Sequence, residues 1–182
     1  QDYFLFLGRL DVDHKGLDYL LDAFARVHAA CPAVRLVIAG NGPDERKFAA
    51  MVRRRGLGGP VEMAGRVEGT LKKELLRHCI AVCLPSRREG WPLVCNEAAA
   101  CSRPVVAFDI PGMNDAVVNG KTGLLLPPFD TDALARAMLR LRDDGDFREL
   151  LGLSARERAV DYTWDEAAVA REAFYREVAG VR

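Results

Sequence analysis

Pro85-Ser-Arg-Arg-Glu-Gly-Trp-Pro-Leu-Val-Cys-Asn-Glu-Ala-Ala-Ala-Cys-Ser-Arg-Pro104 is the stretch that decides the fold. Before it runs Ile80-Ala-Val-Cys-Leu84, unbroken, apolar and short enough for a strand buried on both faces. The chain therefore leaves a sheet at Pro85, turns through a polar loop with Gly90 at its apex, and enters a helix predicted from about Pro92 to Cys101. Pro92 suits the first helical position, where its missing N–H has no intrahelical partner. The amides near Trp91, Pro92, Leu93 and Val94, with the helix dipole behind them, make the start of this helix an anion site.

Two carboxylates bracket that site. Glu89 lies in the loop, and Glu97 stands five residues past Pro92, roughly 7.5 Å down the axis at 1.5 Å per residue. Glu97 is set among Val94, Cys95, Ala98, Ala99 and Cys101, where a carboxylate is costly to bury without hydrogen-bond donors. A ribose diol supplies two. Each acid also has a plainer reading: Glu89 as an ion-pair partner of Arg87 or Arg88, Glu97 as a solvated helix residue.

Working outward, the 182 residues suit one domain, with a hydrophobic fraction of 49% and a charged fraction of 29%, those of an ordinary globule. Lys plus Arg and Asp plus Glu number 26 each. No global field favours nucleic acid or an anionic membrane, so any anion site must be local. The five cysteines, Cys31, Cys79, Cys83, Cys95 and Cys101, are irregularly spaced among apolar neighbours and read as small buried residues of a reduced cytoplasmic protein. No histidine stands at zinc-ligand spacing to a cysteine pair, and no metal site is expected. No signal peptide is expected, and no apolar run is long enough for a transmembrane helix. The chain opens at the edge of a strand, which suggests a fragment of a longer polypeptide.

Strand-like runs recur at Tyr3–Leu7, Val34–Ala39, Val61–Ala64, Ile80–Leu84, Pro104–Phe108 and within Asn119–Leu126, separated by helix-length segments. Helices are expected at Leu17 to Val27, Asp44 to Arg55, Leu71 to Cys79, Thr131 to Arg142, Phe147 to Val160 and Trp164 to Val178. This alternation predicts an α/β, Rossmann-like domain: a six-stranded parallel sheet with helices on both faces. Ligands bind such sheets outside the carboxyl ends of the strands. Gly8-Arg9 and Lys15 follow the first strand there, although two cations beside Asp11 and Asp13 also read as simple neutralisation. Asn41 and Gly42 sit in the Gly40-Asn-Gly-Pro43 turn, where glycine permits close backbone approach or merely a tight turn. His14 reads as a solvated loop histidine or a base. Arg53-Arg-Arg55 lacks interleaved aromatics and reads as a helix end, so no nucleic-acid partner is expected.

Glu89-x7-Glu97 with Gly90-Trp-Pro-Leu93 between, followed by Pro104-Val-Val-Ala107, resembles the retaining, nucleotide-sugar-dependent glycosyltransferases of group 1, from about Tyr3 to the end. The resemblance implies the carboxyl-terminal, donor-binding half of a two-domain GT-B enzyme, residues 1–182, whose amino-terminal acceptor domain is absent. It implies a UDP-, GDP- or ADP-linked sugar as donor, no cofactor or metal, and membrane contact only peripherally, through the missing domain. The matching Arg9 and Lys15 bind the donor diphosphate and are the catalytic cations; Glu89 orients the sugar and is the third catalytic candidate. Gly8, Asn41, Gly42, Arg66, Val67, Gly90, Trp91, Pro92, Leu93, Val94 and Glu97 are the donor-binding candidates, with Arg66 and Val67 at the base pocket and Glu97 at the ribose. The chain departs from the pattern at Ser102, where the family has Gly, and at Pro111-Gly-Met-Asn-Asp115, where it has Gly-Gly-x-x-Glu. Tyr162 and Trp164 resemble the family's terminal signature. Rival classes are a GT-B-like nucleotide-sugar epimerase, a sugar phosphorylase, for which no pyridoxal lysine is evident, and a non-catalytic nucleotide-binding module, which would lose the carboxylates that remain here.

Overall fold

The structure, a computed structural model, describes residues 2–160 and 164–180. The apolar runs become six strands: β1 (Tyr3–Leu7), β2 (Arg35–Ala39), β3 (Val61–Gly65), β4 (Val82–Leu84), β5 (Val105–Phe108) and β6 (Gly123–Leu126). They pair in parallel throughout, in the order β3-β2-β1-β4-β5-β6. Every residue of β1, β4 and β5 is buried, which is why these strands show no polar alternation. At one edge, β3 exposes Glu62, which pairs with Arg35 of β2 at 3.2 Å.

Between and after the strands lie α1 (Val12–Lys15), α2 (Leu17–Ala30), α3 (Glu45–Arg54), α4 (Gly69–His78), α5 (Leu93–Ala100), α6 (Met113–Ala116), α7 (Thr131–Asp143), α8 (Gly145–Ala159) and α9 (Trp164–Val178). Right-handed crossovers that run outward from β1 and from β4 in opposite directions must lie on opposite faces of the sheet. Accordingly α2 packs with α3 and α7, and α5 packs with α4 and α8. The domain is the doubly wound α/β architecture that the alternation predicts.

Several boundaries differ, each for a local reason. The segments 11–16 and 111–115, expected as loop and turn, each contain one helical turn. Asp11 accepts from the His14 N–H at 3.0 Å to start α1, and Gly16 at φ 60° ends it. The strand expected at Ile80–Leu84 is regular only from Val82, yet Ile80 N–H still donates to the Tyr3 carbonyl at 2.8 Å and the Ala81 carbonyl accepts from Leu5 N–H at 3.0 Å. Pro92 is the cap of α5, not its first helical residue, because its ψ of 94° is extended. Helix α8 starts two residues before Phe147, with Asp144 accepting from the Phe147 N–H at 2.9 Å. The Tyr162 of the terminal aromatic pair lies outside the described residues, as does the side chain of Trp164.

All five cysteines are free; Cys79, Cys83 and Cys95 are buried as expected, whereas Cys31 and Cys101 are only half-buried. Burial pushes the Cys79 and Cys95 thiols up to about 12. These sulfurs are packing atoms, protonated and inert at neutral pH.

Ser102 occupies the left-handed region at φ 54°. It is the residue after the cap of α5, where Ser102 N–H donates to the Ala99 carbonyl at 2.9 Å and Arg103 N–H to the Ala98 carbonyl at 2.9 Å. That is a Schellman ending, which favours glycine. Gly152 of α8 is seated directly on it, since a methyl there would lie 2.2 Å from the Ser102 carbonyl oxygen. Strain of about 1–2 kcal/mol at a left-handed serine exceeds the roughly 0.4–1 kcal/mol that a glycine adds to unfolded-state entropy. Ser102→Gly should therefore raise stability by about 0.5–1 kcal/mol in urea denaturation, and Gly152→Ala should lower it; a Ser102→Gly variant no more stable than the parent would contradict strain at this position.

Candidate functional site

Strand order reverses between β1 and β4, which pair through Leu5 and Val82. The connections that leave their carboxyl ends depart to opposite faces and open a crevice, the usual ligand site of a doubly wound sheet. Both singled-out stretches, residues 8–16 after β1 and 85–97 after β4, sit on its rim.

The two loops are locked together. Arg87 N–H donates to the His14 carbonyl at 2.9 Å, and Gly16 lies so close to the second loop that a methyl on it would stand 1.9 Å from the Pro85 carbonyl oxygen. Across this contact Lys15 Nζ meets Glu89 Oε1 at 2.7 Å, and the buried Ser86 hydroxyl donates to the same oxygen at 2.7 Å. The side chains of Lys15 and Glu89 are only 19% and 9% exposed. A pair so far from water is tolerated only with such additional donors. Glu89 thus pairs with neither Arg87 nor Arg88. Arg87 reaches Asp18 through both terminal nitrogens, at 3.0 and 2.6 Å, and lies over the Tyr19 ring; its hydrogen bonds to Asp18 push its pKa up, against the opposing effect of partial burial.

Nor do Arg9 and Lys15 simply neutralise their own loop. Asp11 caps α1, and Asp13 lies 3.8 Å from Arg87. Lys15 is committed to Glu89, while Arg9 is exposed and, among the described residues, makes no ion pair. His14 contributes its backbone to the cap and to the Arg87 contact.

Beside this lock opens a cleft of about 510 Å³. Its walls are Gly8 and Arg9 after β1, Asn41 and Gly42 after β2, Arg66 and Val67 after β3, and Leu93, Val94 and Glu97 on α5. Backbone contacts hold the first three loops side by side: Gly8 N–H donates to the Ala39 carbonyl at 3.0 Å, Leu10 N–H to Asn41 at 2.9 Å and Gly40 N–H to Gly65 at 2.7 Å. Gly42 is a close-approach residue, since a methyl there would fall 2.4 Å from the Leu10 carbonyl oxygen. Leu93 and Val94 occupy the first turn of α5, whose amides have no partner within the helix and carry the positive end of its dipole.

The remaining candidates fall elsewhere on the rim. Gly90 packs its carbonyl against Gly112, which at φ 81° leaves no room for a side chain there. The glycine retained in the Pro111-Gly112 turn is thus the one that the geometry requires. Pro92 is buried at the start of α5, and Trp91, 42% exposed, lines a small hollow with Cys95, Asn96, Arg103 and Arg158 rather than the large cleft.

Two contributors were not legible. Lys72, in the first turn of α4, places Nζ 2.5 Å from Glu97 Oε1; the partners are 25 positions apart in sequence and no spacing rule links them. Ser86 stands three residues before Glu89, and a serine three positions from an acid in a loop reads as readily as a bond to the backbone as one to the carboxylate.

Cations, two carboxylates and a helix start thus converge on the reversal point of a parallel sheet, where open α/β sheets hold ligands and helix starts favour anions. Residues 1–144 match the family described as glycosyl transferases group 1, and the chain belongs to that family. It is 32% identical over 175 residues to the alpha-D-kanosaminyltransferase of Streptomyces kanamyceticus, an alignment covering 96% of this chain and 45% of that protein. Among solved structures it resembles the sucrose-phosphate synthase of Thermosynechococcus elongatus, with a TM-score of 0.88 and 29% identity over 99% of this chain and 46% of that one. It also resembles a mutant S. aureus TarM solved with fondaparinux, alpha-GlcNAc-glycerol and UDP, with a TM-score of 0.86 and 26% identity over 96% of this chain and 35% of that one. The chain thus spans less than half the length of these relatives. Among the described residues no helix is long and apolar enough to cross a membrane.

Gly16→Ala tests the lock between the loops. A methyl at φ 60° and 1.9 Å from a backbone oxygen must separate them, so the substitution should cost at least about 2 kcal/mol. Chemical denaturation measures this, and parental stability would show that the loops are not in contact.

Proposed function

We propose that this chain is the donor-binding domain of a retaining, cytoplasmic glycosyltransferase, taking a nucleoside diphosphate sugar and supporting transfer of a hexosyl group to an acceptor held by a further, amino-terminal domain. The observation that carries the reading is the placement of Arg9 and Glu97 in one cleft at the reversal of strand order. The resemblance to alpha-D-kanosaminyltransferase and the UDP present with TarM support the class of ligand.

In this reading the diphosphate lies over the loop after β1 and the start of α5. Arg9, the amides of Leu93 and Val94 and the dipole of α5 meet its charge. Lys15, held by Glu89 in the lock beside the cleft, adds positive charge next to this wall. Charge grows on the leaving oxygen as the sugar departs, and fixed donors aimed at that position lower the barrier without reorganising. The protein's cations thereby take the role that a metal ion has elsewhere. The base sits toward Arg66 and Val67, and the ribose hydroxyls donate to Glu97.

Glu89 orients hydroxyls of the donor sugar. Lys15 and Ser86 both donate to Oε1, so Oε2 is the oxygen for a sugar hydroxyl. Glu89 is tied to Lys15 and Glu97 to Lys72, so neither is assigned as a base and the two do not flank one bond as a glycosidase pair does.

Arg9→Ala and Glu97→Ala should each weaken binding of the preferred nucleoside diphosphate by about 1–3 kcal/mol, the range for a hydrogen bond to a charged group. Titration calorimetry with UDP, GDP and ADP measures this. Unchanged affinity in both variants would move the site elsewhere, and robust sugar transfer by the isolated chain would refute the need for a second domain.

A further inference from the structure

Glu97 is held in an unusual way for a carboxylate at the edge of a cleft. Its Oε1 lies 2.5 Å from Lys72 Nζ, while its Oε2 is closed off from water and has no hydrogen-bond donor. Lys72 itself lines the same cleft, reaching across from α4. The donor-site reading of the cleft does not require this lysine, and none of the residues expected from the sequence includes it.

We propose that Lys72 is a positioning residue for Glu97, and that it sets how strictly the cleft demands a ribose over a 2′-deoxyribose. The inference rests on the donor-site reading. An ordinary surface ion pair contributes little because both oxygens of the acid stay hydrated and mobile. Here the side chains of Lys72 and Glu97 are only 30% and 36% exposed, and one oxygen is sealed from solvent without a partner. An unmet buried acceptor is unfavourable, and a ligand hydroxyl that supplies the missing hydrogen bond relieves it.

The chemistry of the pair allows this. Rotation about the last bond of a glutamate side chain is soft and roughly twofold, so a small turn brings Oε2 to the cleft. An ammonium group has three donors on a flexible stem and can stay attached while the carboxylate turns. The residues about one turn from Glu97 on α5, Leu93, Val94 and Ala100, have no side-chain donor to replace it, and the Cys95 thiol already faces Met113 Sδ at 3.7 Å. Without Lys72 the carboxylate is free to swing out to water. With it, α4 is fastened to α5 and the acid keeps a fixed place relative to Arg9 across the cleft. Lys72 touches neither the diphosphate nor the reacting carbon in this arrangement. Its loss therefore acts on the choice of sugar ring in the nucleoside and leaves the diphosphate contacts in place.

The test is titration calorimetry of the chain with UDP, GDP and ADP, each against its 2′-deoxy counterpart. The unaltered chain should prefer the ribonucleotide by about tenfold or more, the effect of a hydrogen bond to a charged acceptor. Lys72→Met, which retains the aliphatic stem, should reduce that preference to about threefold or less, Lys72→Arg should restore most of it, and Lys73→Met on the exposed side of α4 should leave it unchanged. Lys72→Leu provides a second neutral variant should the Met variant fail to fold, which circular dichroism will show, and the same loss is expected. A folded Lys72→Met or Lys72→Leu chain that retains the full preference, or an unaltered chain that binds nucleoside diphosphates without any, overturns the role of Lys72 and leaves the donor site standing. An unaltered chain that binds none of the three overturns the donor-site reading itself.

Discussion

The structure depends on one contact, the meeting of the loops that follow β1 and β4. These strands are neighbours in the sheet but send the chain to opposite faces, so their loops would otherwise diverge. Gly16 removes the side chain that would keep them apart, the Arg87 amide ties the second loop to the His14 carbonyl, and Lys15 and Glu89 close the gap with a nearly buried ion pair. Once that lock is formed, the positions of the other groups follow. Arg9 is left facing the cleft, α5 starts with its amides toward it, and Glu97 comes to lie about one turn further along.

A second constraint keeps the cleft open on its other side. The loops after β1, β2 and β3 lie backbone to backbone through Gly8, Gly40, Gly42 and Gly65, with distances that exclude a Cβ at Gly40 and Gly42. Loops of bulkier residues would stand further apart and fill the space that a ligand needs. The chain has no net formal charge, so any attraction for an anion must be local, from the exposed Arg9, the held Lys15 and the start of α5. At the carboxyl end of α5, Gly152 and the Schellman ending at Ser102 fix that helix against α8, so the tilt of this wall of the cleft is set from both ends.

The sheet was legible because burial on both faces leaves continuous apolar runs, as in Tyr3-Phe-Leu-Phe-Leu7, and because helical spacing such as Leu17, Leu20, Leu21, Phe24 is hard to read otherwise. One-turn helices were not, since α1 and α6 are too short for a period and rest on a cap and a glycine. Pro92 satisfies the rule for a first helical residue and has no side-chain acceptor to act as a cap, so only its extended ψ of 94° shows that the helix starts one residue later. The carboxylate pair could be found from spacing, but its partners could not. Glu89 has two arginines beside it in sequence and binds neither, because Lys15 arrives from 74 positions away. Lys72 reaches Glu97 in the same non-local way. The serine at position 102 leaves open in sequence whether its backbone is left-handed, because serine adopts other conformations without strain, and its φ of 54° answers it.

The most direct measurement is an amide chemical-shift map of the chain titrated in turn with UDP, GDP and ADP. The account predicts that the ligand which binds will move the signals of Gly8, Arg9, Asn41, Gly42, Leu93 and Val94 first and most, around the cleft they share. Perturbations centred instead on the hollow at the other end of the sheet, beside Tyr3, Leu71, Glu74 and His78, would contradict it.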